Sequence, residues 1–326
     1  MTVESTALFG RKYDLQIVTS SQNINLSQLH AIFNTTAWVN GTPKVLRVRI
    51  FNLNPQTILP IQNEGGQIYL SAGYEGQYGL IFSGQIIQIR SGRENGVDTY
   101  WDLTATDGDT FFTQGFISRT VNPSQTSLSN RMFQIVQNTQ TPEPMNLNAD
   151  DIIIDTSTST NNTLPRGRVY FGMAKDHLRQ AVKNVGAYYT IENNTQVKVL
   201  GIDRTKQLLA PQINYKTGLI GTPSQTVEGI QFRMLMNPYI VQGMKIQLNS
   251  DAIAMKEVAI QPVGGNAGIE QTTIQQKSTD GFYKVLYCNH SGDTRGNNWF
   301  TDVVCYTKIV NASQAQYGLD LQVEQQ

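Results

Sequence analysis

The chain has 326 residues, with 25 basic and 25 acidic side chains and a formal net charge of zero. This balance argues against a dedicated nucleic-acid-binding protein, whose affinity would come from neutralising phosphates with a basic surface. Two cysteines do not make a disulfide framework, no apolar run reaches the ~18 residues that cross a bilayer, and the N-terminus lacks an apolar signal segment. Neither secretion nor membrane insertion is therefore expected.

The first third of the sequence alternates apolar and polar residues with a period of two. Leu46, Val48 and Ile50 share one face of such a segment, while Arg47 and Arg49 share the other. Further alternating segments follow and are separated by turn residues. Short strands at this spacing indicate an antiparallel sandwich or barrel.

A short helix is predicted directly after the first of these strands. Asn54 is a favoured N-cap residue, and Pro55 fits the first helical position, where its missing N–H costs nothing. We expect Pro60 to interrupt this helix, because proline removes a hydrogen bond from a helix interior.

The middle of the chain has a different pattern. A short helix is predicted from Ser129, and apolar residues recur at helical spacing from Tyr170 to Val185, with Gly186 placed to end that helix. Two short strands follow, with the turn between them at residues 193–194. These elements predict an α+β insert between two β regions.

Strands return in the last third, interrupted by a long segment at 251–280. The fold class expected is therefore mainly β, with two antiparallel β-barrels and a smaller α+β middle domain. We place the first barrel at 1–115, the middle domain at 116–208, and the second barrel, with its long loop, at 209–326.

The two ends of the chain show the same order of elements, which indicates an internal repeat. A strand ends in Asn54-Pro55 in the first third and in Asn237-Pro238 in the last. The final strand of each copy contains a tryptophan. We take six residues as markers of the repeat: Asn54, Pro55, Trp101, Asn237, Pro238 and Trp299.

Three groups of segments, in order along the chain, share the pattern of one known family. They are LRVRIFNLNPQTI, YLSAGYEGQYGLIFSGQI and WDLTATDGD at the start, RGRVYFGMAKDHLRQAVKNVGAYYTIENNTQVKVL in the middle, and TGLIGTPSQTVEGIQFRMLMNPYIVQGMKIQLNS with FYKVLYCNHSGDTRGNNWFTDVVC near the end. From about Leu46 to Thr307 they resemble the baseplate hub proteins of contractile-tailed bacteriophages.

This resemblance implies a structural role without catalysis, cofactor or metal. It implies tube-protein-like barrels in a homotrimeric ring that adapts the sixfold tail tube to the threefold central spike and leaves a channel for DNA. The implied partners are a second and third copy of the chain, the tail tube protein, the central spike protein, other baseplate proteins and the tape measure protein. The implied location is the virion, after assembly in the host bacterial cytoplasm. No peptidoglycan-cleaving segment is recognised, so lytic activity is not expected.

The segment HSGDTRGNN, from His290, has the residue types of an active-site loop. His290 and Ser291 are adjacent, however, and neighbours on a strand point to opposite faces, so they do not form a relay. We interpret the segment as the connection between the last two strands, equivalent to residues 91–98 in the first copy. Asp293 and Arg295 are then candidate interface residues, which pair across the loop or with a neighbouring subunit.

A metal site and a disulfide are both considered for Cys288 and Cys305, which lie on opposite arms of this hairpin. Only His290 offers a further ligand, whereas a zinc site needs three or four. We expect two buried free thiols, packed as small apolar groups.

The alternative functions are a carbohydrate-binding or peptidoglycan-hydrolysing tail protein, and the equivalent hub of a tailocin or secretion apparatus. Hydrolysis would need paired carboxylates, and the nearest candidates, Asp107 with Asp109 and Asp150 with Asp151, stand beside turn residues where Asp is common. Sugar binding would be favoured by an exposed aromatic stripe, for which the candidates are Tyr69, Tyr74 and Tyr78.

Overall fold

The computed structural model describes residues 8–38, 41–122, 127–142, 147–148, 152–153, 166–184, 186–192, 196–201, 210–226, 229–248, 254–255 and 281–306. The fold is mainly β with an α+β insert, which confirms the expected class. The strands are β1 (Arg11–Val18), β2 (Asn23–Asn25), β3 (Ala31–Trp38), β4 (Val45–Phe51), β5 (Gln67–Tyr74), β6 (Gln77–Glu94), β7 (Asp98–Thr106), β8 (Phe116–Val121), β9 (Ile152–Ile153), β10 (Arg168–Met173), β11 (Ala187–Glu192), β12 (Gln196–Gly201), β13 (Gln212–Ile213), β14 (Leu219–Thr226), β15 (Gly229–Leu235), β16 (Lys245–Leu248), β17 (Ala254–Met255), β18 (Phe282–Asp293) and β19 (Trp299–Tyr306). The helices are α1 (Pro55–Glu64), α2 (Asp109–Gln114), α3 (Leu128–Gln137) and α4 (Ala174–Lys183).

One 14-stranded sheet runs through both ends of the chain. Its order is β17-β14-β15-β19-β18-β3-β4-β7-β6-β5-β1-β2, with β16 beside β18 and β13 beside β16. Because β3 pairs with β18, the strands of the two β regions belong to a continuous sheet rather than to two isolated barrels.

The sheet contains the same arrangement of strands twice. The order β3-β4-β7-β6-β5 forms what we call the first repeat, and β14-β15-β19-β18-β16 forms the second. The two copies share a register shift as well. The shift falls between Ile86 and Gln88 in β6, and between Val285 and Tyr287 in β18. A bulge at the same place in two strands is a strong sign of one unit present in two copies.

Three large hydrophobic cores and one small cluster, formed by Tyr188 and Leu200, lie within the described ranges. The first lies beneath the first repeat, the second among α3, α4 and the short strands of the insert, and the third beneath the second repeat. Trp299, although it belongs to the last third of the sequence, packs in the first core together with Met236. The two repeats therefore share buried apolar contacts in addition to strand pairing.

The insert combines two small sheets with α3 and α4. Strands β8 and β10 pair with each other, and β11, β12 and β9 form a three-stranded sheet. Helix α4 begins at Ala174, and the predicted start at Tyr170 is wrong, because residues 168–173 pair with β8 as a strand. The helix from residue 128 and the pairing of the two strands after Gly186 are confirmed, while their turn at 193–194 lies outside the described residues.

Helix α1 begins as the sequence predicts and continues past its internal proline. The side chain of Asn54 accepts a hydrogen bond from the N–H of Gln56, and Pro55 occupies the first turn. The expected break at Pro60 does not occur. The buried Ile58 and Ile61 anchor the helix to the first core, and this burial outweighs one missing hydrogen bond. None of the helices in the described ranges is long and apolar enough to cross a bilayer.

Candidate functional site at the joint between the repeats

The joint between the repeats is a ladder of seven residue pairs between β3 and β18. It runs from Trp38 opposite Tyr287 to Ile32 opposite Asp293. In its centre the N–H of His290 donates to Oγ1 of Thr35 at 3.1 Å, and at one end the rings of Trp38 and Tyr287 lie 4.5 Å apart. The residues that looked catalytic in the sequence are thus part of this joint.

His290 is a buried neutral side chain whose polar neighbours are a threonine hydroxyl and a buried, protonated thiol. Its Nδ1 lies 3.0 Å from Oγ1 of Thr301, and its Nε2 lies 3.5 Å from Sγ of Cys288. Burial, helped by the charge of Lys44, lowers the pKa of His290 to about 4, so the imidazole carries no proton charge at neutral pH. Ser291, the next residue along the strand, is only half-buried, whereas His290 is 5 % exposed. His290 therefore acts as packing within the joint.

The connection after β18 is shorter than predicted. Strand β18 continues to Asp293, so His290 and Ser291 lie in a strand and the loop comprises only residues 294–298. The first repeat behaves in the same way, since β6 extends to Glu94 and its turn contains Asn95 and Gly96, both with positive φ. The backbone pairing offered by the adjacent strands extends both arms beyond the point where apolar alternation ends.

Asp293 forms its contacts within the chain. Its carboxylate accepts the N–H groups of Arg295 at 2.9 Å and Gly296 at 2.8 Å, and lies 2.8 Å from Nε2 of His30. Although partial burial acts in the opposite direction, these hydrogen bonds lower the pKa of Asp293. The side chain of Arg295 remains exposed. Of the two candidate interface residues, Asp293 organises the loop, and Arg295 presents a positive charge to the outside.

The loop and the tryptophan behind it are attached to the first repeat. The guanidinium of Arg11 donates to the carbonyls of Gly296 at 2.6 Å and Asn297 at 3.2 Å, and it lies 5.6 Å from the ring centroid of Trp299. The indole Nε1 of Trp299 donates to the carbonyl of Gly73 at 3.1 Å. The hairpin of the second repeat is thereby fixed on β1 and β5.

The Asn-Pro markers form the same turn in both repeats. The side chain of Asn237 accepts from the N–H of Tyr239 at 3.0 Å, as Asn54 does from Gln56 at 2.9 Å. Only the first turn continues as a helix. The turn that contains Pro238 instead contacts the first repeat, because the hydroxyl of Tyr239 donates to the carbonyl of Tyr78 at 3.3 Å.

The two tryptophan markers do not occupy equivalent positions. Trp101 lies opposite Ile50 in β4, one residue before Asp102, whereas Trp299 lies three residues before Asp302. The equivalent residue of Trp101 is therefore Thr301. The tryptophans therefore align the two repeats differently from a charged pair that occurs once in each.

That charged pair is the feature which sequence reasoning missed. Arg49 makes two hydrogen bonds to Asp102, at 2.7 and 3.0 Å, and Arg233 makes two to Asp302, at 2.6 and 3.0 Å. Bidentate geometry of this kind fixes both side chains. The signal was available in the aligned segments, since VRIF matches FRML and each final strand carries an Asp in its interior.

The two cysteines are buried and free, as predicted, but they are not directly opposite each other. Cys288 faces Val303, and Cys305 faces Val285. Burial raises the pKa of the Cys288 thiol to about 12 and that of Cys305 well above its usual value, so both stay protonated. Within the described ranges no group of three or more His, Cys, Asp or Glu side chains is arranged to hold a metal ion.

The described carboxylate candidates have different surroundings. Asp107 is buried and lines a cavity of about 280 Å³ at the joint, together with Glu192 and Lys44. Asp109 stands in the first turn of α2. The pair at 150–151 lies outside the described residues.

The tyrosines do not form a common exposed stripe. Tyr74 is buried in the first core. Tyr69 is half-buried, and its hydroxyl donates a hydrogen bond to Oε1 of Gln67 at 2.6 Å. Tyr78 is exposed on the hairpin that meets the second repeat. These positions correspond to core and joint rather than to a sugar-binding face.

Comparison with known proteins identifies the family and the fold. The family model described as Baseplate hub gp41 matches residues 51–253. The tail protein from Neisseria meningitidis MC58 superposes with a TM-score of 0.57 at 8% identity, over 96% of this chain and 99% of that one. The 43 kDa tail protein of prophage MuSo2 from Shewanella oneidensis gives 0.56 at 9%, over 91% and 98%.

A third solved structure with this fold is the E. coli c3393 protein, described as a component of the type VI secretion system with structural similarity to the T4 tail proteins gp27 and gp5. It superposes with a TM-score of 0.54 at 9% identity, over 91% of this chain and 77% of that one. A search of curated protein sequences finds no match. Because the family model covers more than half of the sequence, this chain belongs to the Baseplate hub gp41 family.

Proposed function

We propose that three copies of this chain form the ring that joins the sixfold tail tube to the threefold central spike. The observation that carries the proposal is the duplicated strand order within one chain. Three chains with two repeats each present six similar units around an axis, which matches a sixfold tube, while the insert repeats only three times. A trimer of this kind meets both symmetries without any change of conformation.

The ring leaves a channel through which DNA passes without specific binding. The equal numbers of acidic and basic side chains support this role, because a strongly basic surface would hold phosphates. The function is mechanical and needs no catalytic residue, cofactor or metal. The neutral buried His290 and the protonated buried thiols are consistent with a non-enzymatic protein.

The partners we propose are two further copies of the chain, the tail tube protein, the central spike protein, other baseplate proteins and the tape measure protein. The protein assembles in the host cytoplasm and ends in the virion tail. The boundaries 1–115, 116–208 and 209–326 are kept as the proposed domains.

Native mass spectrometry combined with negative-stain imaging tests the proposal. We expect a ring-shaped trimer, either alone at high concentration or after addition of the spike protein, and retention of the ring on tail tube protein. A monomer that binds neither tube nor spike protein would overturn it. Turnover of peptidoglycan that disappears in an Asp107→Asn variant would show that the protein is an enzyme.

The alternative assembly is the equivalent hub of a tailocin or secretion apparatus. The shared fold with the E. coli c3393 protein favours keeping this alternative. Purification of particles from the producing cells separates the two cases, since a phage hub is recovered with DNA-filled capsids, whereas a tailocin or secretion hub is recovered without them.

A further inference from the structure

We infer that the outer half of β6 pairs, edge to edge, with β14 of a second copy of this chain, in the way that β18 pairs with β3 inside the chain. The inference rests on the trimeric ring proposed above and specifies its joints. Each chain would then contain one joint, and each contact between chains would form another of the same kind.

The outer half of β6 has an open edge. Strand β5 pairs with β6 only up to Gln85, and the N–H of Ile86 donates to the carbonyl of Gly66. From Ile87 to Glu94 the strand is paired with β7 on one side, and no described strand lies on the other. An edge of this length with unpaired backbone groups is a template for a further strand.

In the second repeat the equivalent edge is covered. Arg90 faces Asp102 and Asn289 faces Asp302, so these residues occupy the same place in β6 and β18. Ser91, next in β6, is exposed, whereas His290, next in β18, is 5 % exposed because β3 lies against it. The same strand is therefore open in one repeat and covered in the other.

Strand β14 is the counterpart of β3, the strand that covers β18. Ile32 of β3 lies opposite Arg49, and Ile220 of β14 lies opposite Arg233. Since Asp293 pairs with Ile32, the same joint between two chains places Glu94 opposite Ile220. Because the register shift between Ile220 and Ser224 adds two residues to β14, the same joint places Ser91 opposite Gln225, as His290 is opposite Thr35.

The edge of β14 that would receive β6 is partly occupied in the single chain. The two residues of β17 pair in parallel with Ser224 and Gln225, near one end of β14. The side-chain Oε1 of Gln225 is buried without a hydrogen-bond partner among the described residues. We infer that β6 of the neighbour replaces β17, which protects this edge before assembly.

Cysteine cross-linking tests the register. In the double variant Glu94→Cys with Ile220→Cys, we expect covalently linked trimers under non-reducing conditions, because directly opposite residues on paired strands bring their Cβ atoms close enough for a disulfide. The matched control, Gln88→Cys with Ile220→Cys, has a cysteine on the same strand but out of register, and should lose the linked species. The native thiols are buried and do not interfere.

A proline substitution tests the edge itself. The N–H of His290 points to β3, so the equivalent N–H of Ser91 points to the open edge. We expect Ser91→Pro to leave the folded monomer intact and to abolish trimers, since proline is tolerated on an edge whose N–H faces solvent. Ser91→Ala keeps the N–H and should still assemble.

The outcomes distinguish this inference from the proposed function. A trimer that forms equally well with Ser91→Pro and shows no cross-link in register would overturn the edge pairing and leave the hub assembly standing. Failure of the unmodified chain to form a ring, even with spike protein, would count against the proposed assembly itself. Cross-linked trimers in register together with loss of trimers in Ser91→Pro would support both.

Discussion

The two repeats share their backbone but differ in the surroundings of one strand. Strand β6 pairs with β5 and β7 as β18 pairs with β16 and β19, both have the same bulge, and each lies beside an Arg–Asp pair. Yet Ser91 is exposed, and its equivalent His290 is buried and neutral. The difference follows from the presence of β3 on β18. In this protein, a buried side chain at the edge of a strand therefore indicates that another strand is already paired with that edge.

The largest difference in stability between the repeats should appear when their tryptophans are replaced. Trp299 is 1 % exposed, fills the first core and donates to Gly73, whereas Trp101 is half-buried. We expect Trp299→Ala to lower the free energy of unfolding by roughly 3–5 kcal/mol, and Trp101→Ala by about half as much. Denaturant unfolding of both variants provides the measurement. Equal losses would mean that the shared core contributes nothing beyond ordinary burial.

The next effect concerns the pH dependence of stability. The pKa of His290 is about 4 in the folded chain and near 6.5 when unfolded, so the unfolded state binds more protons between these values and stability falls as pH drops through them. This residue should contribute a loss of about 2 kcal/mol between pH 7 and pH 5.

The measurement for this effect is denaturant unfolding at pH 7 and pH 5, in the wild type and in His290→Gln. The variant should show a smaller difference between the two pH values. As a control in the first repeat, Ser91→His places the same ring at a position that is exposed in the single chain, and in the monomer it should not add to the pH dependence. An unchanged pH dependence in His290→Gln would show that the buried histidine is hydrated.

A smaller effect should distinguish the two Asn-Pro turns. Asn54 caps a ten-residue helix, while Asn237 caps a turn that does not continue as a helix. We expect Asn54→Ala to cost about 1 kcal/mol and Asn237→Ala less, because loss of an N-cap also exposes the unpaired N–H groups of the first helical turn. Thermal unfolding of the two variants compares them, and a larger cost at Asn237 would reverse the interpretation.

The smallest effect is expected for the Arg–Asp pairs. Both are partly exposed, with side-chain exposures of 36% and 34% for Arg49 and Asp102, and 52% and 28% for Arg233 and Asp302. Double-mutant cycles to Ala should give coupling energies below about 1 kcal/mol in each repeat, because solvent screens such pairs. A coupling energy above about 1 kcal/mol for Arg233 and Asp302 alone would show that the two Arg–Asp pairs are not equivalent.

Most of the fold could be predicted from the sequence, and the missing parts have a physical explanation. Alternation was clear wherever Leu, Val and Ile made the buried face, as in β4. It was obscured in β3, whose buried face is made of Ala31, Phe33, Thr35 and Ala37, and in β14, which contains Gly221 and Pro223. These two strands carry the joint and its proposed counterpart, so the pairing partners could not be predicted.

Only one side of the joint between the repeats could be predicted from the sequence. The identity of His290 and Asp293 drew attention to the correct hairpin, but their partners Thr35 and His30 lie about 260 residues earlier in the chain. Contacts of this sequence separation depend on the tertiary arrangement and leave no local pattern. Arg49 and Arg233 are the exception, since their equivalence is visible when the two repeats are aligned by charge.

The pairing of β3 with β18 has a consequence for assembly at low protein abundance. A joint made within one chain forms at an effective concentration fixed by the connecting polypeptide and does not depend on dilution. In the proposed ring, half of the joints are formed in this way during folding. Only three encounters between molecules remain, whereas six separate units would need six. Fusing two copies therefore lowers the concentration at which a closed ring can outcompete its fragments.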